Sequence, residues 1–246
     1  ATALEKYAAC PYRFFLATVV GLRARATVRQ VEELDPATRG LLFHDIVYRA
    51  AAELRLRDLL SLDADAEAAE RVVDDMIVAV AKAWHEKLAP AIDRVWYDAI
   101  EDLRLDVRYW LRELRKSEWQ PVEFELPFGH RGRRDGIAED CTDDPVVLDS
   151  GLALSGRIDA IEQRQGELRA TDYKTGEAPA LGNSVIAGGT QLQPALYALV
   201  LEKLFPNSRV ASGNAYYCTT RGEFQRRNVE LDDSTRLAAR EVLRYP

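Results

Sequence analysis

The periodicity of the apolar residues changes at Pro121, and this constrains the fold more than any other feature of the chain. Ahead of Pro121, residues such as Val72, Val73, Met76, Ile77, Val80 and Trp84 recur at the three- and four-residue spacing of a helical stripe. Behind it, short apolar runs alternate with Gly and Asp clusters, the pattern of strands and turns. The pattern predicts helices over residues 3–17, started or broken at Pro11, then from Asp35-Pro36 through an apolar stretch ending near Leu60, and over 64–89 and 91–116 with Pro90 between them. Residues 22–38 read as polar and irregular. Strands are expected near 121–128, 146–148, 152–161 and 167–173, a helix over about 190–204, strands near 210–218 and 225–230, and a last helix from about 233. The polar segment Gly129–Asp144 reads as a loop. The fold expected is a single α/β unit in which the first helices cover a sheet, with a helical insertion over about 61–117.

Composition narrows the class without choosing a function. A chain of 246 residues, 47% hydrophobic and 30% charged, buries a core without disulfides or a structural metal. It holds no apolar run near the roughly 18 residues that cross a bilayer, so no membrane partner is expected. Cys10, Cys141 and Cys218 are far apart and odd in number, which favours a reducing, cytoplasmic compartment. The formal net charge of -7 counts against a passive nucleic-acid binder, yet suits an enzyme that gathers carboxylates around a metal ion.

Two segments at predicted strand ends carry the sharpest signal: Ser155-Gly156-Arg157-Ile158-Asp159 and Thr171-Asp172-Tyr173-Lys174-Thr175-Gly176. Residues two apart in a strand share a face, so Asp172 and Lys174 project together while Tyr173 points away. If the two strands pair as a hairpin, Asp159 approaches Asp172, and adjacent carboxylates repel unless a cation lies between them. A hard divalent ion such as Mg²⁺ or Mn²⁺ suits such oxygens, and Lys174 is then placed to stabilise phosphate charge or help activate a water. Taken alone, a strand-borne D-x-K reads as a salt bridge at a strand end.

Its context adds weight. The pair G-R-I-D and D-Y-K-T-G resembles two motifs of the PD-(D/E)xK nuclease superfamily, in its RecB/AddB-like exonuclease branch. Three further segments, in the family's order, resemble its C-P-x-x-F-F-L opening (Cys10 to Leu16), its G-x-x-x-H helix (Gly40 to His44) and its E-x-x-F-G strand (Glu125 to Gly129). Gln193-Pro194-Ala195-Leu196-Tyr197 resembles its Q-x-x-x-Y helix. The resemblance implies a restriction-endonuclease-like core, over about 36–60 and 119–230 of one domain spanning 1–246. It implies a metal held by His44, Asp159, Asp172 and the backbone carbonyl of Tyr173. Lys174 is then the catalytic lysine, and Gln193 and Tyr197 orient the site or contact DNA. The function implied is a metal-dependent DNA exonuclease acting on single-stranded ends in DNA end processing.

Bland readings stand beside these. His44 alone reads as a core histidine, and Gln193 and Tyr197 as a buried polar pair sharing a helical face, with Gln191 as a register alternative. Glu125 reads as structural rather than a ligand. Arg131, Arg133 and Arg134 read as solvated charge, and Trp84, Trp96, Trp110 and Trp119 as core rather than a base-stacking platform.

Relatives of this type hold an iron–sulfur cluster through one early cysteine, matched by Cys10, and three grouped late ones that this sequence lacks. The chain is therefore expected to be a fragment of a longer parent that carries the missing group. It also lacks a G-x-x-x-x-G-K-[ST] loop, so a helicase motor would lie elsewhere in the parent or in a partner subunit. The alternative function is a non-catalytic DNA-end-binding or structural module of such an assembly. Hydrolysis of another substrate has no G-x-S-x-G or H-E-x-x-H to support it.

Overall fold

A computed structural model describes residues 2–22, 34–129, 144–179 and 192–244. The loop expected over 129–144 falls almost wholly outside them, as do Cys141, Gln191, Arg131, Arg133 and Arg134. The chain opens with α1 (Thr2–Ala9) and α2 (Pro11–Phe14), followed by a π-turn over Phe15–Val19. Pro11 starts a helix and divides the 3–17 stretch, as expected, because proline suits a first helical turn and not an interior.

Three long helices follow: α3 (Pro36–Leu56), α4 (Ala66–Leu88) and α5 (Asp93–Lys116). The first begins where Asp35-Pro36 predicts. Asp35 accepts the amides of Ala37 and Thr38, each at 3.0 Å, and Pro36 occupies the first turn. Asp65 caps α4 in the same way. The turn between α3 and α4 is held by buried Arg115 of α5, whose guanidinium donates to the carbonyls of Ser61, Leu62 and Ala64.

The second half supplies β1 (Gln120–Phe128), β2 (Val146–Val147), β3 (Ala153–Leu154), β4 (Gly156–Arg164), β5 (Glu167–Lys174), α6 (Gln193–Leu204), β6 (Arg209–Tyr217), β7 (Arg226–Glu230) and α7 (Asp233–Arg244). The strand expected over 152–161 is two, β3 in a small hairpin with β2, and β4 in the main sheet. The main sheet runs β1-β4-β5-β6-β7. Its neighbours are antiparallel except β5 and β6, which are parallel and joined through α6. This is a mixed central sheet between helical layers, the restriction-endonuclease-like architecture expected.

One core lies between α3, α4, α5 and one sheet face, where Phe43, Trp96, Trp110 and Leu111 meet Phe124, Ala160, Tyr173 and Tyr216. The other joins α6 and α7 to the opposite face through Leu196, Leu201 and Ala239 against Ile158, Ile161, Leu168 and Val210. Trp96 and Trp110 are core residues, as expected. Among the described residues no helix is long and apolar enough to cross a membrane.

Gly213 of β6 sets how closely α6 lies on the sheet. A Cβ there would sit 1.8 Å from the carbonyl oxygen of Pro194, so only glycine lets the helix start against the strand. This contact fixes the height of Gln193, the first residue of α6, above β5.

Candidate metal centre

The site forms where β4 parts from β5. These strands pair from Arg164↔Glu167 to Ala160↔Thr171, and the register ends there. The next rung would oppose Asp159 to Asp172. Instead, the Asp159 carboxylate takes the backbone N–H of Tyr173 at 2.7 Å, so a side chain replaces the lost ladder bond.

The rung on the other side of β4 is irregular too. Phe124↔Ala160 and Leu126↔Ile158 pair across β1 and β4, leaving Glu125 opposite Asp159. Residues two apart in a regular strand share a face. Here Phe124 and Ala160 join the core under α3–α5, whereas Leu126 and Ile158 join the core under α6. Both strands therefore reverse their alternation at one rung. Glu125 shows the cause, since its φ of 53° lies in the left-handed region that a glutamate rarely adopts. The twist turns two carboxylates toward one point. Backbone strain of this kind persists only where surrounding contacts enforce it, and it concentrates at functional sites.

His44 meets them from α3. Its Nδ1 lies 3.7 Å from Glu125 Oε1 and 3.7 Å from Asp159 Oδ1. Gly40, one turn earlier, lets α3 approach the end of β5, since a Cβ there would stand 3.1 Å from Thr175 Oγ1. Ligand atoms of His44, Glu125 and Asp159 all lie within 4.8 Å of one another, close enough to share one ion. Arg157 caps the group from outside, donating to Glu125 Oε2 at 2.9 Å.

Asp172 and Lys174 face α6 together, as the strand period requires, while the Tyr173 ring turns into the opposite core beside Trp110 and Tyr216. Lys174 Nζ lies 2.6 Å from Asp172 Oδ2 and donates to Gln193 Oε1 at 2.7 Å. The Gln193 amide closes the ring, donating to Asp172 Oδ1 at 2.8 Å and to Tyr197 Oη at 2.9 Å. Gln193 and Tyr197 are thus neighbours on one helical turn, with Gln193 touching both polar groups of the D-Y-K segment.

The electrostatics follow from burial. Desolvation pushes Asp159 up to about 7; His44 opposes the rise, and the carboxylates of Asp172 and Glu125 add to it. Asp172 is raised by burial against the pull of Lys174. Burial works to lower His44, but hydrogen bonding to Glu125 and the Asp159, Glu125 and Asp172 charges raise it overall. Burial works to raise Glu125, and His44 and Arg157 outweigh it and lower it. Arg157 answers Glu125 and Lys174 answers Asp172, so Asp159 is the acid of the site whose charge is least compensated.

The residues named for the site from the sequence fall into two neighbouring groups: His44 and Asp159 converge with Glu125, whereas Asp172, whose carboxylate is engaged by Lys174 and Gln193, lies with Lys174, Gln193 and Tyr197 in the hydrogen-bonded ring beside them, and Tyr173 gives its amide to Asp159. Glu125, read as structural, stands among them. Its strand pattern gives no sign of the left-handed twist that aims it, although its position in the E-x-x-F-G segment was a usable hint. Cys10 is exposed just ahead of α2, and Cys218 is buried just past β6.

A mixed sheet between helical layers, with acids and a lysine at the split of its central strands, defines a restriction-endonuclease-like protein. The chain belongs to the PD-(D/E)XK nuclease superfamily, whose family model matches residues 1–244. It is similar to an ATP-dependent helicase/deoxyribonuclease subunit of Moorella thermoacetica, 31% identical over 79% of this chain and 17% of that protein. The protein of the same description in Acetivibrio thermocellus is 29% identical over 70% of this chain and 15% of the relative. That of Clostridioides difficile is 25% identical over 94% of this chain and 20% of the relative. The chain thus spans a fifth or less of the length of these curated relatives.

Proposed function

We propose that the chain is a metal-dependent deoxyribonuclease domain, with Mg²⁺ or Mn²⁺ as its ion, that removes nucleotides from single-stranded DNA ends. The observation that carries this reading is the convergence of His44, Glu125 and Asp159 on one point, beside the Asp172–Lys174–Gln193 ring. The donor set fits a hard divalent ion, since it offers buried carboxylate oxygens and one imidazole. His44, Asp159 and Asp172 would hold the ion, with Glu125 as a further carboxylate and the Tyr173 carbonyl as a backbone donor. When bound, such an ion supplies Lewis-acid polarisation of a phosphate and lowers the pKa of water.

The chain's own residues do the rest. Lys174 holds its ammonium at the mouth of the acid cluster, where a scissile phosphate would lie, and stabilises charge that develops there. Asp172 and Gln193 restrain that ammonium from two sides, and Tyr197 restrains Gln193. Asp159, by taking the Tyr173 amide, fixes the split that keeps β4 and β5 apart. The restraint matters because misplacement of a catalytic group by about 1 Å costs on the order of 10²-fold in rate.

The curated relatives' descriptions name a helicase, and this sequence has no P-loop. We therefore propose that DNA is delivered by a motor in a longer parent chain or a partner subunit. Residues 61–117 would be a helical insertion in this one nuclease domain. The test is cleavage of end-labelled single-stranded and duplex DNA with Mg²⁺, Mn²⁺ or EDTA, wild type beside Lys174→Ala. Metal-dependent cutting lost in the variant is expected. Folded, metal-loaded protein that cuts neither substrate would sink the catalytic reading in favour of a non-catalytic DNA-end module.

A further inference from the structure

We propose that Asp106, on α5 and outside every motif of the sequence, is a positioning residue for this centre; the inference rests on the reading of the site as a metal centre. Asp106 is 1% exposed. Its Oδ1 accepts both the backbone N–H and the Oγ1 hydroxyl of Thr220, each at 2.8 Å, and its Oδ2 accepts Arg39 Nη2 at 2.8 Å. One buried carboxylate thus joins α5 to the helix that carries His44 and to the turn between β6 and β7. A buried carboxylate is retained at a cost unless charge and hydrogen bonds compensate it, and here three donors from two other elements do so.

The turn it grips lies against the end of the Lys174 strand. The Cys218 amide donates to the Lys174 carbonyl at 3.0 Å, and Thr219 Oγ1 donates to the Thr175 carbonyl at 3.1 Å. Gly222 approaches so closely that a Cβ would fall 2.9 Å from the Gly176 carbonyl. Glu223 and Phe224 are consecutive residues in the left-handed region, each with φ 52°, so the turn is strained and must be held from outside. One helical turn along α5 from Asp106, the ring of Tyr109 stacks on Phe224 at 3.7 Å and holds the other end. On the second arm, Arg39 directly precedes Gly40, which packs on Thr175. Asp106 therefore sets His44 and Lys174 relative to each other without touching either.

The test is calorimetric Mn²⁺ binding and thermal melting of Asp106→Asn beside Asp74→Asn. Asp74 ties α4 to Arg104 and Arg108 of α5 and serves as a structural control. The expected result is Mn²⁺ affinity weakened about tenfold in D106N and unchanged in D74N, although both lower the melting temperature. Thr220→Ser should keep wild-type affinity, and Thr220→Val, which removes one of the three bonds, should lose part of it; that pair decides the matter if D106N does not fold. Affinity within twofold of wild type in D106N, or equal loss in D106N and D74N, overturns the inference. Wild-type binding that is absent, or that survives Asp159→Ala, overturns instead the metal-centre reading on which it rests.

Discussion

Replacing Asp159 by Asn should stabilise the metal-free protein at alkaline pH, although it removes a residue at the heart of the site. Burial raises Asp159 from its ordinary 3.8 to about 7. A carboxyl whose folded pKa is raised binds its proton more tightly in the native state. Its stabilising contribution is complete below the unfolded pKa and is lost as pH rises through the folded one. Three units correspond to about 4 kcal/mol, lost between about pH 4 and pH 7. Asparagine keeps an oxygen for the Tyr173 amide and escapes the penalty. Part of the gain is returned, because asparagine buries two amide N–H donors that must find partners there. The net expectation is a gain of about 2–3 kcal/mol at pH 8 in EDTA, or a melting temperature higher by roughly 5–10 °C for a chain this long. Near pH 4 the two proteins should differ by less than about 1 kcal/mol. Saturating Mn²⁺ should reverse the order, because only the wild type gains the full binding energy of the ion.

The assay is urea unfolding across pH 4–8, with EDTA and with Mn²⁺. If D159N in EDTA at pH 8 proves no more stable than wild type, or both lose stability equally between pH 4 and 7, the account of Asp159 as a carboxylate awaiting a cation is wrong.

Other perturbations test separate parts of the structure. Gln193→Leu should lower cleavage by about 10²-fold with little change in melting temperature, because Lys174 loses its restraint by Gln193; single-turnover kinetics beside a thermal melt measure both. Gly213→Ala places a methyl against the Pro194 backbone, which has no flexible end to yield, so urea unfolding should show a loss of at least about 3 kcal/mol. Glu162→Ala strands Arg169, 7% exposed and 2.6 Å from its carboxylate, and should cost about 3–5 kcal/mol in the same assay. The double replacement Glu162→Leu with Arg169→Met should recover most of that loss.

The helix and strand pattern was legible because apolar periodicity reports which faces are covered, and both layers of this fold cover the sheet. The Asp172–Lys174 pair was legible for the same reason, since a two-residue period decides which side chains share a face. Local chemistry failed where it depended on long-range packing. The division between β3 and β4 falls at Ser155 inside a run that reads as one strand. The twist at Glu125 is imposed by its partners across the sheet, and no neighbour in sequence announces it. Asp106 was invisible in the same way, because its partners Arg39 and Thr220 lie 67 and 114 residues away in sequence.

The strain at Glu125 and the burial of Asp159 have a common origin. A regular β1-β4-β5 ladder would point Glu125 and Asp159 in directions set by the pleat, and Asp159 would pair with Asp172 across a closed hairpin with no room between them. Breaking the alternation on β1 and β4 at one rung turns both carboxylates inward, and ending the β4–β5 register at the same rung opens the space they face. The price is an unmet amide at Tyr173 and a left-handed glutamate. Asp159 meets the first, while Arg157 and His44 hold the second. Each local defect is compensated by a residue of the site itself. It follows that the site and the sheet irregularity form one unit: restoring regular pleating around Glu125 would remove the binding geometry even with every ligand residue intact.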